Sequence, residues 1–115
     1  MPRPLLSVIL AVSLVACTGS SLEPLPLDVS IEASRATAAP GDTITFVATA
    51  QGGSLLGLEI NYGDSVTEQF GTGSARTARV TFRHAYLLPG TYQVRVVLTD
   101  AAAGQKEATT EVRVN

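Results

Sequence analysis

The chain of 115 residues has one cysteine, one histidine and no tryptophan. A single cysteine excludes an internal disulfide, so whatever folds must do so on packing alone. The single histidine has no second histidine or spare thiol with which to share a metal ion, so no zinc spacing can be assembled. Without tryptophan, and with three tyrosines and three phenylalanines, the chain lacks a broad aromatic platform for stacking sugars. Charge is sparse: eight basic residues against ten acidic, a net of −2. Arg35, Arg76, Arg79, Arg83, Arg95 and Arg113 are scattered, which excludes a dense basic face for nucleic acid. No Gly-x-Ser-x-Gly elbow occurs, and the Gly71-x-Gly73 pair is followed by no helical pattern that would cradle a phosphate. The sequence thus argues for a non-enzyme with no cofactor and no metal. Helix is missing too: Ala101-Ala102-Ala103 is short and is stopped by Gly104.

What is present begins with the one long apolar stretch. Residues 5–16 run for 12 positions broken only by Ser7 and Ser13. A bilayer-spanning helix needs about 20, so this reads as the core of a signal peptide behind Met1-Pro2-Arg3-Pro4. Leu14-Val15-Ala16-Cys17 follows directly and resembles the lipobox of bacterial lipoproteins. The resemblance implies a diacylglycerol thioether on Cys17 and cleavage before it, with residues 1–16 removed. Only cysteine serves there, because the thiolate is the nucleophile that takes the lipid. Two or more acyl chains would hold the protein on its membrane for long times. Thr18 stands where aspartate usually marks retention at the inner membrane. The expected location is therefore the cell envelope, with the outer membrane favoured in a diderm organism.

Residues 17–26 are expected to form the lipidated cysteine and a flexible tether. They are small and polar, Pro24 and Pro26 forbid a helix, and they reach roughly 30 Å at most. Residues 27–115 then read as one domain. Its strands alternate with a period of two. Leu27, Val29, Ile31 and Ala33 share a face, as do Ile44, Phe46, Ala48 and Ala50 after the turn at Ala39-Pro40-Gly41-Asp42. Gln51-Gly52-Gly53-Ser54 reads as a break, after which Leu56, Leu58, Ile60 and Tyr62 point inward. Residues 66–70 form a weaker strand. Ala78, Val80 and Phe82 follow, then Tyr92, Val94, Val96 and Leu98, then Ala108, Thr110, Val112 and Val114. Half-apolar strands must pair their apolar faces across two sheets. The expectation is all-β, an immunoglobulin-like sandwich of about seven antiparallel strands.

Three segments sharpen that expectation. Ile60-Asn61-Tyr62-Gly63-Asp64-Ser65 resembles the Trp-Asp-Phe-Gly-Asp-Gly segment of PKD (polycystic kidney disease) repeat domains. His84-Ala85-Tyr86 matches that family's His-x-Tyr. Pro89-Gly90-Thr91-Tyr92, followed by Val94, Val96, Leu98 and Asp100, matches its Pro-Gly-x-Tyr strand. Ile60, Asn61 and Ser65 depart from the family's tryptophan, aspartate and glycine. The resemblance implies structural roles for Ile60, Tyr62, Gly63, Asp64, His84, Tyr86, Pro89, Gly90, Tyr92 and Asp100. Some domains of this family bind calcium, and Asp42, Asp64 and Asp100 are the right ligand type. No Asp-x-Asp cluster exists, however, and each reads as a turn cap.

The function these readings imply is a membrane-anchored lipoprotein whose domain makes protein contacts or adheres at the envelope. The alternatives are a structural envelope component or a glycan-binding module. Phe70 and Tyr86 are the aromatics expected to be exposed. The outward positions Thr43, Thr45, Val47 and Thr49 form an uncharged strip that could join a partner's sheet or dock on its surface.

Overall fold

The structure is a computed structural model and describes residues 25–115. The expected signal peptide, Cys17 and most of the expected tether lie outside the described residues. Six strands follow one another: β1 (Asp28–Ala33), β2 (Thr37–Ala38), β3 (Thr43–Asn61), β4 (Thr67–Ala85), β5 (Gly90–Asp100) and β6 (Gly104–Val114). Among the described residues there is no helix.

The expected break at Gln51-Gly52-Gly53-Ser54 does not end a strand. β3 runs through it for 19 residues, joining two expected strands, and β4 likewise joins the weak segment after Val66 to the segment ending at Arg83. Seven expected strands thus become five, and the short β2, which pairs parallel with β6, makes the sixth. Two register shifts against β4, between Gln51 and Leu55 and between Leu55 and Gly57, bend the ribbon instead of cutting it. Such bulges sharpen local twist and let a strand change sheets. They also correct the expected parity: Leu55 is fully buried while Leu56 is 50% exposed.

The bend folds one hydrogen-bonded sheet into two layers. The first half of β3 lies between β1 and the end of β4. The second half lies between the start of β4 and β5, which continues to β6 and β2. Ile44, Phe46 and Ala48 from one layer and Ile60, Val94, Val96 and Val112 from the other have no exposed surface. Phe46 meets Tyr62 across the core, their ring centres 5.7 Å apart. The sandwich expected from alternation is the one observed.

The bend also sorts the loops between two ends. At the upper end the Ala101 amide donates to Ser54 O at 2.9 Å, and Gln51 Nε2 donates to Pro26 O at 3.2 Å. The chain therefore enters the domain there. At the lower end the Gly41 amide donates to Tyr86 O at 2.8 Å, beside the turn from β3 to β4.

Candidate functional site

The lower end gathers most of the chemistry-bearing side chains. β3 delivers Tyr62 just past its last residue, and β4 delivers His84 opposite Ile44. The His84 ring lies flat on Tyr62, centres 4.0 Å apart and 7° from parallel. Tyr86 meets His84 edge-on at 4.7 Å, and Tyr92 stacks on Tyr86 at 4.2 Å. Phe46, all three tyrosines and the one histidine thus make a continuous column. Such contacts each add about 0.5–1.5 kcal/mol beyond area burial.

Each tyrosine hydroxyl in the column has a partner, as does His84 Nε2. His84 Nε2 lies 2.6 Å from Asp64 Oδ2; a carboxylate only accepts, so the ring nitrogen donates. Tyr86 Oη donates to Tyr62 O at 2.7 Å, Tyr92 Oη to Leu88 O at 2.6 Å, and Tyr62 Oη to Glu68 Oε1. Burial, then the bond to Glu68 and its negative charge, push the Tyr62 hydroxyl well above the ordinary tyrosine range. Burial, with Asp64 as the next cause, does the same for Tyr86. Neither hydroxyl is an acid within the working range of proteins. Tyr86, expected to be exposed, is 1% exposed because its ring fills the space between His84 and Tyr92. Phe70 is 48% exposed.

The turn before β4 explains why glycine occupies position 63. Its φ is +88°, and a Cβ there would sit 2.7 Å from the carbonyl oxygen of Gln93. A side chain would thus meet both left-handed strain and the backbone of β5. Asn61 Oδ1 accepts the Gly63 amide at 2.8 Å, and Asp64 Oδ1 accepts the Val66 amide at 3.3 Å. Ile60 is fully buried, and Gly90 leads into β5 beside the Tyr92 ring. Pro89 lies in the loop just before it.

Asp100 belongs to the other end. Its carboxylate accepts the Ser54 amide at 2.7 Å and those of Ala102 and Ala103 at 2.9 and 3.0 Å. These donors, Ser54 first, lower its pKa from 3.8 to about 2. A carboxylate depressed on folding stabilises the fold above its unfolded pKa, and that contribution is lost as pH falls through the folded value. Between pH 4 and 2, wild type should therefore lose stability more steeply than Asp100→Asn, as followed by circular dichroism in acid titrations. Superimposable acid limbs would contradict this role. Asp42 caps a third place, accepting the Ala39 amide and an Arg35 nitrogen at 3.1 and 3.3 Å. The three turn aspartates thus each hold a backbone amide. Among the described residues no group of three or more metal-ligating side chains lies together.

The strip of Thr43, Thr45, Val47 and Thr49 lies on the outer face of β3, with Thr45 and Val47 half-buried. From Phe46 to Gln51, β3 is paired on both sides. It cannot accept a further strand there, which removes sheet-joining at β3 and leaves docking on the face. Sequence reasoning missed two participants. Glu68, the acceptor of Tyr62, sits opposite Ile60, and an acidic residue at an inward register position was its only signal. Ser54, the first donor to Asp100, sat in a stretch read as a break.

Two bent layers around an aliphatic core, closed at one end by an aromatic column, define an immunoglobulin-like β-sandwich. The chain belongs to the PKD domain family, whose sequence pattern matches residues 28–114. A similar solved structure is the PKD domain of an M14-like peptidase from Thermoplasmatales archaeon SCGC AB-540-F20. It shares 23% identity over 80% of this chain and 98% of that one, with a TM-score of 0.69. The PKD domain of the human VPS10 domain-containing receptor SorCS2 shares 26% over 92% and 84%, with a TM-score of 0.54. Carbohydrate-binding modules of the β-sandwich superfamily share 19% over 81% of this chain and 36% of theirs, with a TM-score of 0.64. No curated protein sequence matches the chain.

Proposed function

We propose that this protein is a lipid-anchored envelope protein whose PKD domain acts as a non-catalytic contact module. The observation that carries the non-catalytic part is the engagement of His84 between Asp64 and Tyr62. The one side chain best suited to acid–base work near neutral pH is committed to holding the lower end together. The peptidase in which a similar domain occurs fits a module that accompanies chemistry done elsewhere. Protein contact is favoured over glycan binding because Phe70 is the one exposed aromatic among the described residues.

Anchoring rests on Leu14-Val15-Ala16-Cys17 behind a 12-residue apolar run. Entry of the chain at the upper end supports a geometry in which the His84 end points away from the lipid. The test is detergent phase partitioning of the protein expressed in a bacterial host. Wild type should enter the detergent phase and Cys17→Ser should stay in the aqueous phase. Equal partitioning of both would contradict lipid attachment at Cys17.

A further inference from the structure

The two outer faces of the sandwich differ in how their charges are placed. On the β5–β6 face, Arg95 pairs with Glu107 at 3.5 Å, and Gln93 donates to Glu111 at 3.3 Å. On the opposite face, Asp28, Glu32, Arg79 and Arg83 form no ion pair among the described residues. Their placement is ordered. The acids sit on β1 and the arginines on β4, with β3 between them. Ser30, Thr49 and Arg79 form one row across the three strands; Glu32, Val47 and Thr81 form the next. The acidic border, the neutral centre and the basic border are all solvent-facing or half-buried.

We propose that this face binds a second copy of the same chain, around a two-fold axis parallel to β3. A rotation about that axis lays the β1 border of each copy over the β4 border of the other. Both borders are then matched at once, as an isologous interface requires. Arg79 of one copy comes down over Ser30 of the other, between Asp28 and Glu32, which stand one same-face step, about 6.6 Å, to either side. A two-fold across the strands would instead stack acid on acid and arginine on arginine. The same axis leaves both chain entries at one end, so two copies tethered to one membrane can meet without inverting either. This last point rests on the anchored reading above; the charge pattern does not. Three strands offer less than the roughly 800 Å² per partner of a standard interface. Association is therefore weak in solution, and confinement to a membrane strengthens it.

The test uses the full chain carrying Cys17→Ser, which removes intermolecular disulfides and separates this question from lipidation. Sedimentation in mild detergent should show a reversible dimer that weakens with salt. Glu32→Arg and Arg79→Glu, both at exposed positions, should each weaken it by about tenfold or more. Mixing the two single variants should restore association. One partner is then basic at both positions and the other acidic at both, so opposite charges meet on each border. The double variant should also dimerise, because it exchanges the two signs within every copy. Absence of dimer up to about 1 mM, or association unchanged in every variant and mixture, would overturn the proposal. Lipid anchoring would still stand or fall on partitioning alone.

Discussion

Replacing Phe46 with alanine should cost about 3–5 kcal/mol of folding stability, as expected for deleting a fully buried aromatic ring. Phe46 has no exposed surface. It sits on β3 opposite Ala33 of β1 and Phe82 of β4, and it reaches across the core to Tyr62. One truncation therefore opens a cavity where both layers meet. Nothing in the disulfide-free chain can offset it, and domains of this size hold only about 5–15 kcal/mol in total. Urea titration should show a lower midpoint with an unchanged slope. A loss below about 1 kcal/mol would mean that Phe46 does not bridge the layers as described.

Much of the fold was legible because strand alternation reports burial directly. Val29 and Ile31, then Ile44, Phe46, Ala48 and Ala50, then Val94, Val96 and Leu98, and Val112 with Val114 all lie in the core at the parity their spacing gives. Alternation stopped being informative where the backbone changes register. At Leu55 and Leu56 the sequence offers two adjacent leucines, and only the bulge pairing decides which points inward. The glycines at 52 and 53 look like a turn to any local rule. Gly52 is what lets β3 continue through a bend, since a side chain there would collide with the Asp100 carboxylate at 2.7 Å. β2 escaped notice because two residues carry no period, and its existence depends on the arrival of the β6 end.

At the lower end, the resemblance to PKD motifs singled out the residues but not their contacts. Asp64 and His84 are 20 positions apart and at opposite ends of the β3–β4 ladder, and their 2.6 Å approach follows from the bend that folds the two halves of that ribbon over each other. Tyr86 stands one residue past the end of β4 yet in phase with the buried Val80 and Phe82, so alternation pointed it inward and the expectation of exposure went against that parity. Its burial is set by the stack on Tyr92. Short-range patterns thus set the faces, and long-range pairing set the neighbours.

If the lower end is built for folding and not for chemistry, His84→Ala should lower stability without removing any function of the domain. The variant deletes a ring stacked on Tyr62 and edge-on to Tyr86, with a side chain only 13% exposed. It also leaves Asp64 Oδ2 without its donor. Aromatic pairs contribute about 0.5–1.5 kcal/mol and hydrogen bonds to charged groups about 1.5–3 kcal/mol, so the expected loss is about 2–4 kcal/mol. Melting should fall by on the order of 10 °C. The decisive measurement sets that melting shift beside the proteins cross-linked to the domain in native membranes, at a temperature where the variant remains folded. A lower melting point with the same recovered partners is the predicted result. Unchanged melting, or a wild-type domain that turns over a substrate and loses that activity with His84→Ala, would contradict the account.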